Sequence, residues 1–300
     1  MVKGKKEPPP AIDTSHIKRK LLDIPYSKQS ETQKMDIYLP DSSTGPLPVI
    51  VSIHGGAFMY GNKDDLRQEP MLKGIHHGYA VVSIDYRLSG EAIFPALIYD
   101  CKAAIRFIRA KAGIFGFDPD HIGVWGASAG GYLAAMLGTS GNTPELEDLT
   151  MGFENESSSV QAVVDWCGPA ADFLAMDDEI RQNNVGCQMY HNDPDSPESR
   201  LMGGQITSIP EKVKYASPMT HIHKDIPPFL IQHGDMDPIV PVQQSIKLAE
   251  AIGAIAGKDR AQLDVIEGMG HHGDMKYETD ENISRVFGFL DRYLKLKDNP

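Results

Sequence analysis

Four short segments of the sequence hold residues able to do chemistry. The first is Gly126-Ala127-Ser128-Ala129-Gly130, placed between an apolar run at 121–125 and a helix-forming run at 129–137. A serine in that context sits on a sharp strand-to-helix turn, where side chains two positions to either side would crowd the backbone. Ser128 would then stand at the start of a helix, whose dipole and free N–H groups favour developing negative charge. The chemistry is nucleophilic attack. The second segment is His54-Gly55-Gly56-Ala57-Phe58, after a β-branched run. Small residues let backbone N–H groups approach an oxygen closely, and the expected oxyanion donors are the amides of Gly56, Ala57 and Ala129. The third is His233-Gly234-Asp235-Met236-Asp237-Pro238-Ile239-Val240-Pro241, after an apolar run at 229–231. A carboxylate here can hold an imidazole in the right tautomer. Asp237 is preferred; Asp235 is the alternative, with an Asx-type turn as its other use. The fourth is Gly268-Met269-Gly270-His271-His272-Gly273-Asp274. His271 is the preferred general base and His272 the alternative.

These segments need elements that lift them to one place. Val49-Ile50-Val51-Ser52-Ile53 and the run at 79–84 read as strands buried on both faces. Met35-Asp36-Ile37-Tyr38-Leu39 alternates apolar and polar residues, as a half-buried strand does. Residues 96–112 carry apolar groups at helical spacing. Asp118-Pro119-Asp120 breaks the chain before a short strand at 121–125. Further strands are expected at 160–166, 229–231 and 263–266, with helices at 129–137, 243–256 and 283–294. Strands alternating with helices imply a parallel sheet with right-handed crossovers. Residues 170–225 interrupt that rhythm with Asp, Asn, Pro, Met and Gly. They read as a cap-like insertion over one end of the sheet, within a single domain spanning 1–300. Residues 1–15, with three consecutive prolines, are expected to be a disordered lead.

The chain has 300 residues, an apolar fraction of 41% and a formal net charge of −12. That apolar content builds a core and excludes an intrinsically disordered chain. The negative charge gives no global field for nucleic acid or anionic lipid. Its one basic cluster, Lys3, Lys5, Lys6, Lys18, Arg19 and Lys20, reads as a solvated tail. Three cysteines, Cys101, Cys167 and Cys187, form no C-x-x-C pair and no disulfide framework. Free thiols fit a reducing compartment. No signal peptide and no membrane-spanning run is legible, so a cytoplasmic protein is expected. There is no phosphate loop and no H-E-x-x-H zinc pair; no cofactor or metal is expected. His221-x-His223 and the pair His76-His77 read as solvated loop residues, and Cys167 as packed rather than nucleophilic. Trp125 and Trp166 are expected in the core or a pocket wall.

The order Ser128, Asp237, His271 on alternating strands and helices resembles the α/β-hydrolase superfamily. More closely, the chain is similar to small esterases of the hormone-sensitive-lipase-like and feruloyl/acetylxylan-esterase-like groups. His54 to Phe58 matches their oxyanion motif, and Asp85-Tyr86-Arg87-Leu88 their D-Y-R-L segment. Phe117-Asp118-Pro119 and Gly126 to Gly131 match the approach to the nucleophile. Asp165-Trp166, Gly168-Pro169 and Asp172-Phe173 resemble a segment common in the esterase group. His233 to Pro241 matches the acid loop and Gly268 to Gly273 the histidine loop. The likeness covers about residues 20–295. It departs at His271-His272, where the family usually has one His before Gly. The resemblance implies an α/β-hydrolase fold, with a mostly parallel central sheet, flanking helices and a cap over the C-terminal strand ends. It implies a serine carboxylesterase for short-chain acyl esters, such as acetyl or feruloyl esters of carbohydrate. Asp172, Phe173, Met176 and Tyr190 would face the acyl or alcohol pocket. The alternatives are a serine peptidase-like hydrolase and a ligand-binding pseudoenzyme. The expected partner is a small-molecule ester, with no nucleic acid and no membrane. An exposed edge strand or the insertion offers a route to a homo-oligomer.

Overall fold

The computed structural model of the protein describes residues 10–271 and 277–295. Among these, eight strands form one sheet: β1 (Lys20–Pro25), β2 (Lys34–Tyr38), β3 (Leu47–Ile53), β4 (Ala80–Ile84), β5 (Phe117–Ala127), β6 (Ala162–Trp166), β7 (Phe229–Gly234) and β8 (Ala261–Ile266). Their spatial order is β1-β2-β4-β3-β5-β6-β7-β8. The β1–β2 and β2–β4 pairs are antiparallel and every other pair is parallel. Helices α1 (Glu69–Leu72), α2 (Ala96–Ala110), α3 (Ala112–Phe115), α4 (Ala129–Thr139), α5 (Met176–Asn183), α6 (Pro197–Met202), α7 (Pro210–Tyr215), α8 (Gln243–Ile255) and α9 (Asp280–Leu294) occupy the crossovers and the ends.

The strand sequences account for a sheet covered on both faces. Val49, Val51 and Ile53 of β3 enter the larger apolar cluster with Ile98, Ile105, Leu133 and Leu248 from α2, α4 and α8. Ile50, Val164 and Leu230 point the other way, onto Val286, Phe287 and Leu290 of α9. Both faces are therefore dry, which explains the near-continuous apolar runs of the parallel strands. Every residue of α4 is buried, so this helix lies in the interior and holds Ser128 rigidly at its N-terminal end.

Several expectations are corrected. The strand expected at 121–125 starts earlier, at Phe117, and runs through Asp118-Pro119-Asp120. Leu47 pairs with Phe117 but Val49 pairs with Ile122. The register slip accommodates the proline at an irregularity rather than ending the strand. The second strand is not half-buried: Asp36 is buried, 3.2 Å from the Lys63 ammonium, and accepts from the Asp23 N–H at 2.7 Å. Of the expected disordered lead, residues 1–9 lie outside the described residues. Residues 10–15 are not loose: Ile12 N–H donates to Asp64 O at 2.8 Å and Leu66 N–H to Pro10 O at 2.9 Å. Lys18, Arg19 and Lys20 are no tail, since Lys20 opens β1 and Lys18 pairs with Asp41 at 3.3 Å.

The segment 170–225 carries α5, α6 and α7 and ties back to the body. Gln244 of α8 accepts from the N–H groups of Ala171 and Asp172 at 3.0 and 2.9 Å and donates to Glu179 at 2.8 Å. The Tyr132 hydroxyl of α4 donates to Ala216 O at 2.7 Å. No helix among the described residues is long and apolar enough to cross a membrane.

Candidate active site

The four segments gather where open α/β sheets place ligands, at the C-terminal ends of the parallel strands. Ser128 joins β5 to α4 with φ +57° and ψ −122°, a conformation that costs on the order of 1–3 kcal/mol for a residue with a side chain. Its N–H is fixed to Trp166 O at 2.8 Å. The flanking glycines are steric necessities. A Cβ on Gly126 would lie 2.2 Å from Gly130 O, and one on Gly130 would lie 2.0 Å from Ile53 O.

After β3, Gly56, Ala57 and Phe58 have consecutive positive φ values of 121°, 53° and 61°. Gly56 O accepts from Met59 N–H at 3.0 Å and Tyr60 N–H at 2.9 Å, which closes the turn. Tyr86 braces it from below: its hydroxyl donates to His54 O at 2.9 Å and its ring stacks on the His54 imidazole at 4.3 Å. Burial pushes the His54 pKa down to about 4, so this ring is a neutral support. Next to Tyr86, Arg87 is held by the buried Asp100 carboxylate at 2.8 Å. The D-Y-R-L segment thus serves the loop's shape. Among the described residues, none of the backbone hydrogen bonds of the turns, loops and caps is donated by the amide of Gly56, Ala57 or Ala129.

Ser128, His271 and Asp237 come together in one line. The Ser128 hydroxyl lies 2.9 Å from His271 Nε2, and His271 Nδ1 lies 2.6 Å from Asp237 Oδ2. Asp237 is buried, and its Oδ1 accepts from the N–H groups of Ile239 and Val240 at 2.8 and 2.9 Å. Burial would raise its pKa, but His271 and His233 outweigh it and hold the carboxyl below the usual range. Burial opposes charge on His271, yet the sulfur of Cys167 and the Asp237 carboxylate lift its pKa well above the ordinary imidazole value. Asp235 plays a different part. Its carboxylate accepts from Gly268 N–H at 2.7 Å and shapes the histidine loop. His272 lies outside the described residues.

Other sequence expectations divide. Phe173 packs against Phe58 at 6.3 Å and Tyr132 at 5.4 Å, beside the loop that carries Gly56 and Ala57. Met176 is buried in the core instead of facing a pocket. Asp172 caps the following turn through Leu174 N–H, and Tyr190 is exposed. Trp125 and Trp166 meet edge to face at 4.9 Å on the α9 side of the sheet. His77 is not simply solvated, since its ring stacks on Phe287 at 3.8 Å; His221 is buried and bonds Tyr215 O at 2.7 Å. Cys167 is buried and packed, as expected, but against the site: donor atoms of Cys167, Asp237 and His271 lie within 4.8 Å of one another.

Two histidines close to the Asp237 loop carry no role assigned from sequence. His233 Nε2 lies 3.2 Å from Asp237 Oδ2. His191, from the insertion, contacts Ile239 O through Nε2 at 2.8 Å and lies 3.0 Å from Glu198. The only sequence signal for either is the His-Gly pair opening the acid loop.

A family model described as BD-FAE matches residues 35–252. Esterase LipQ of Mycobacterium tuberculosis is 33% identical over 232 residues, which are 77% of this chain and 52% of that protein. A solved truncated form of a carbohydrate esterase from gut microbiota is 30% identical with a TM-score of 0.82, covering 94% of this chain and 99% of that one. A bifunctional GH43-CE structure from Bacteroides eggerthii is 34% identical with a TM-score of 0.79, over 91% of this chain and 35% of that one. The chain spans about half the length of the curated relatives it matches. With a mostly parallel eight-stranded sheet and a match over most of its length, the chain belongs to the BD-FAE family, among the α/β-hydrolase esterases of the hormone-sensitive-lipase-like and feruloyl-esterase-like group.

Proposed function

We propose that the protein is a serine carboxylesterase with Ser128 as nucleophile, His271 as general base and acid, and Asp237 as the orienting carboxylate. The observation that carries this reading is the continuous line from the Ser128 hydroxyl through His271 to Asp237, at 2.9 and 2.6 Å. As Ser128 Oγ bonds to the ester carbonyl carbon, its proton passes to His271 Nε2. The carbonyl oxygen becomes an oxyanion and accepts from the amides of Gly56, Ala57 and Ala129. The bond to the leaving oxygen then breaks, and His271 returns the proton to the departing alcohol. Water repeats the sequence on the acyl-enzyme: it loses a proton to His271, bonds to the acyl carbon and releases the acid, while Ser128 recovers its proton.

The substrates assigned are short-chain acyl esters, with acetyl or feruloyl groups on carbohydrate as the natural class. The likeness to a carbohydrate esterase and to a GH43-CE protein supports this choice, and Phe58, Tyr132 and Phe173 form an aromatic cluster beside the oxyanion loop. The test is turnover of p-nitrophenyl acetate beside longer acyl esters and acetylated oligosaccharides. Ser128→Ala is expected to cut kcat by roughly 10⁶ while the fold is kept, and a fluorophosphonate to label the parent protein on Ser128. Undiminished turnover in Ser128→Ala removes the assignment. An inert, unlabelled parent protein identifies a ligand-binding pseudoenzyme instead.

A further inference from the structure

The Asp237 carboxylate faces imidazoles from two sides. His271 Nδ1 lies 2.6 Å from Oδ2, and His233 Nε2 lies 3.2 Å from the same oxygen. His233 is buried at the end of β7. Its Nε2 is also 2.9 Å from Val240 O, so this nitrogen meets two acceptors and must carry a hydrogen. Its Nδ1 is 2.6 Å from the hydroxyl of Ser245, which lies buried in the first turn of α8. A hydroxyl can donate to Nδ1, and the ring is thereby fixed in one tautomer from both ends.

We propose that His233, locked by Ser245, is a positioning residue that sets the orientation of Asp237 and tempers its pull on His271. The proposal rests on the roles assigned to Asp237 and His271 above. A carboxylate offers about four lone-pair directions, and here four N–H groups approach them. Ile239 and Val240 donate to Oδ1; His271 Nδ1 lies 2.6 Å from Oδ2, and the His233 N–H, bonded to Val240 O at 2.9 Å, flanks the same oxygen at 3.2 Å. Without the His233 donor, the negative charge on Oδ2 would rest on His271 alone. The imidazolium form of His271 would gain stability, and the neutral base needed for attack would appear only at higher pH. The carboxylate plane would also lose one of its restraints.

The other titratable groups facing this network are Cys167, beside His271 at the end of β6, and Asp165 of β6, whose charge interacts with His233. Tyr277 precedes α9, and its hydroxyl accepts from Gly234 N–H at 2.8 Å. Cys167 and Tyr277 keep their contacts in variants at 233 and 245, whereas Asp165 loses its interaction with the ring when residue 233 is replaced and keeps it in Ser245→Ala.

The experiment compares Ser245→Ala, His233→Leu and His233→Gln with the parent protein, each checked for folding by thermal melting. The readouts are the pH profile of kcat/KM for p-nitrophenyl acetate and the proton resonance of His271 Nδ1–H followed through its titration. In His233→Leu the acid limb and the His271 titration should move up by about half to one pH unit; in Ser245→Ala, where Nε2 keeps its hydrogen but Nδ1 loses its partner, they should move the same way by less. In the same variants kcat should fall about tenfold with little change in KM, a loss of positioning and not of binding. His233→Gln, which keeps a side-chain N–H, should recover most of both. Folded His233→Leu with a parental limb and titration overturns the proposal while leaving Ser128 its role. Turnover that survives Ser128→Ala overturns the underlying reading instead, and the resonance still reports whether His233 governs His271.

Discussion

Asp237 and His271 move each other's proton equilibria in opposite directions, and the sign fixes the expected pH dependence. Burial would make both groups resist charge, yet His271 and His233 hold the Asp237 carboxyl low. In return, Cys167 and Asp237 raise His271 well above 6.5. In the role proposed for it, His271 takes the Ser128 proton only as neutral imidazole. The competent fraction therefore falls as pH drops through the raised value, and the acid limb of kcat/KM should lie above 6.5. Asp237→Asn removes the charge that stabilises imidazolium. Its acid limb should move to lower pH, while kcat falls by about 10⁴ because the amide no longer enforces the productive tautomer. A pH–rate profile with p-nitrophenyl acetate checks both effects, and an unshifted limb in Asp237→Asn would break the link between this carboxylate and the base. Burial likewise raises Asp85 to about 6, but that group holds Lys63 N–H at 2.6 Å and stays out of the proton path.

At the scale of elements, the β5–α4 turn works only because two glycines let backbones touch. Gly130→Ala places a methyl 2.0 Å from Ile53 O, so α4 must move off β3. The expected loss is about 1–3 kcal/mol, with Ser128 displaced from His271. Gly113→Ala in α3, where nothing lies within 4 Å of the added carbon, should change stability by no more than about 0.5 kcal/mol. Denaturant unfolding and esterase assays on the two variants measure the contrast, and equal stability would remove the steric argument. The candidate site was readable from sequence because each of its four motifs is local and sits at a strand end. Elements governed by pairing were less readable. β1 has mostly exposed residues and no apolar period, since it lies at a sheet edge. Asp118-Pro119-Asp120 carries turn signals that the slip between β3 and β5 absorbs. Asp36 fits an outward polar position until Lys63, distant in sequence, arrives to neutralise it. His233 and His191 are anonymous histidines until the fold supplies Ser245 and Ile239 O.

Across the whole molecule, the insertion and the acid loop form one clamp. Gln188 N–H donates to Pro238 O at 3.0 Å, and His191 Nε2 contacts Ile239 O at 2.8 Å. These two anchors lie one and two residues after Asp237, so segment 170–225 is tied directly to the loop that carries this carboxylate. His191 and Glu198 are both buried, 3.0 Å apart. Burial alone would lower the His191 pKa, but Glu198 and the carbonyl of Ile239 raise it above 6.5. A histidine whose folded pKa exceeds its unfolded value binds its proton more tightly when folded. Its contribution to stability is complete below about 6.5 and disappears as pH rises through the folded value. Within that window the parent protein should lose up to about 1.4 kcal/mol per pH unit from this pair. His271 contributes with the same sign, so the pair must be read as a difference between proteins. Glu198→Gln removes the charge that holds the His191 proton while keeping the side chain's size. It should be less stable than the parent near pH 6.5, and the gap should close as pH rises above the His191 value. Thermal or denaturant unfolding across that range measures the gap. A difference that stays constant with pH would mean that packing, and not the His191 proton, joins the insertion to the acid loop.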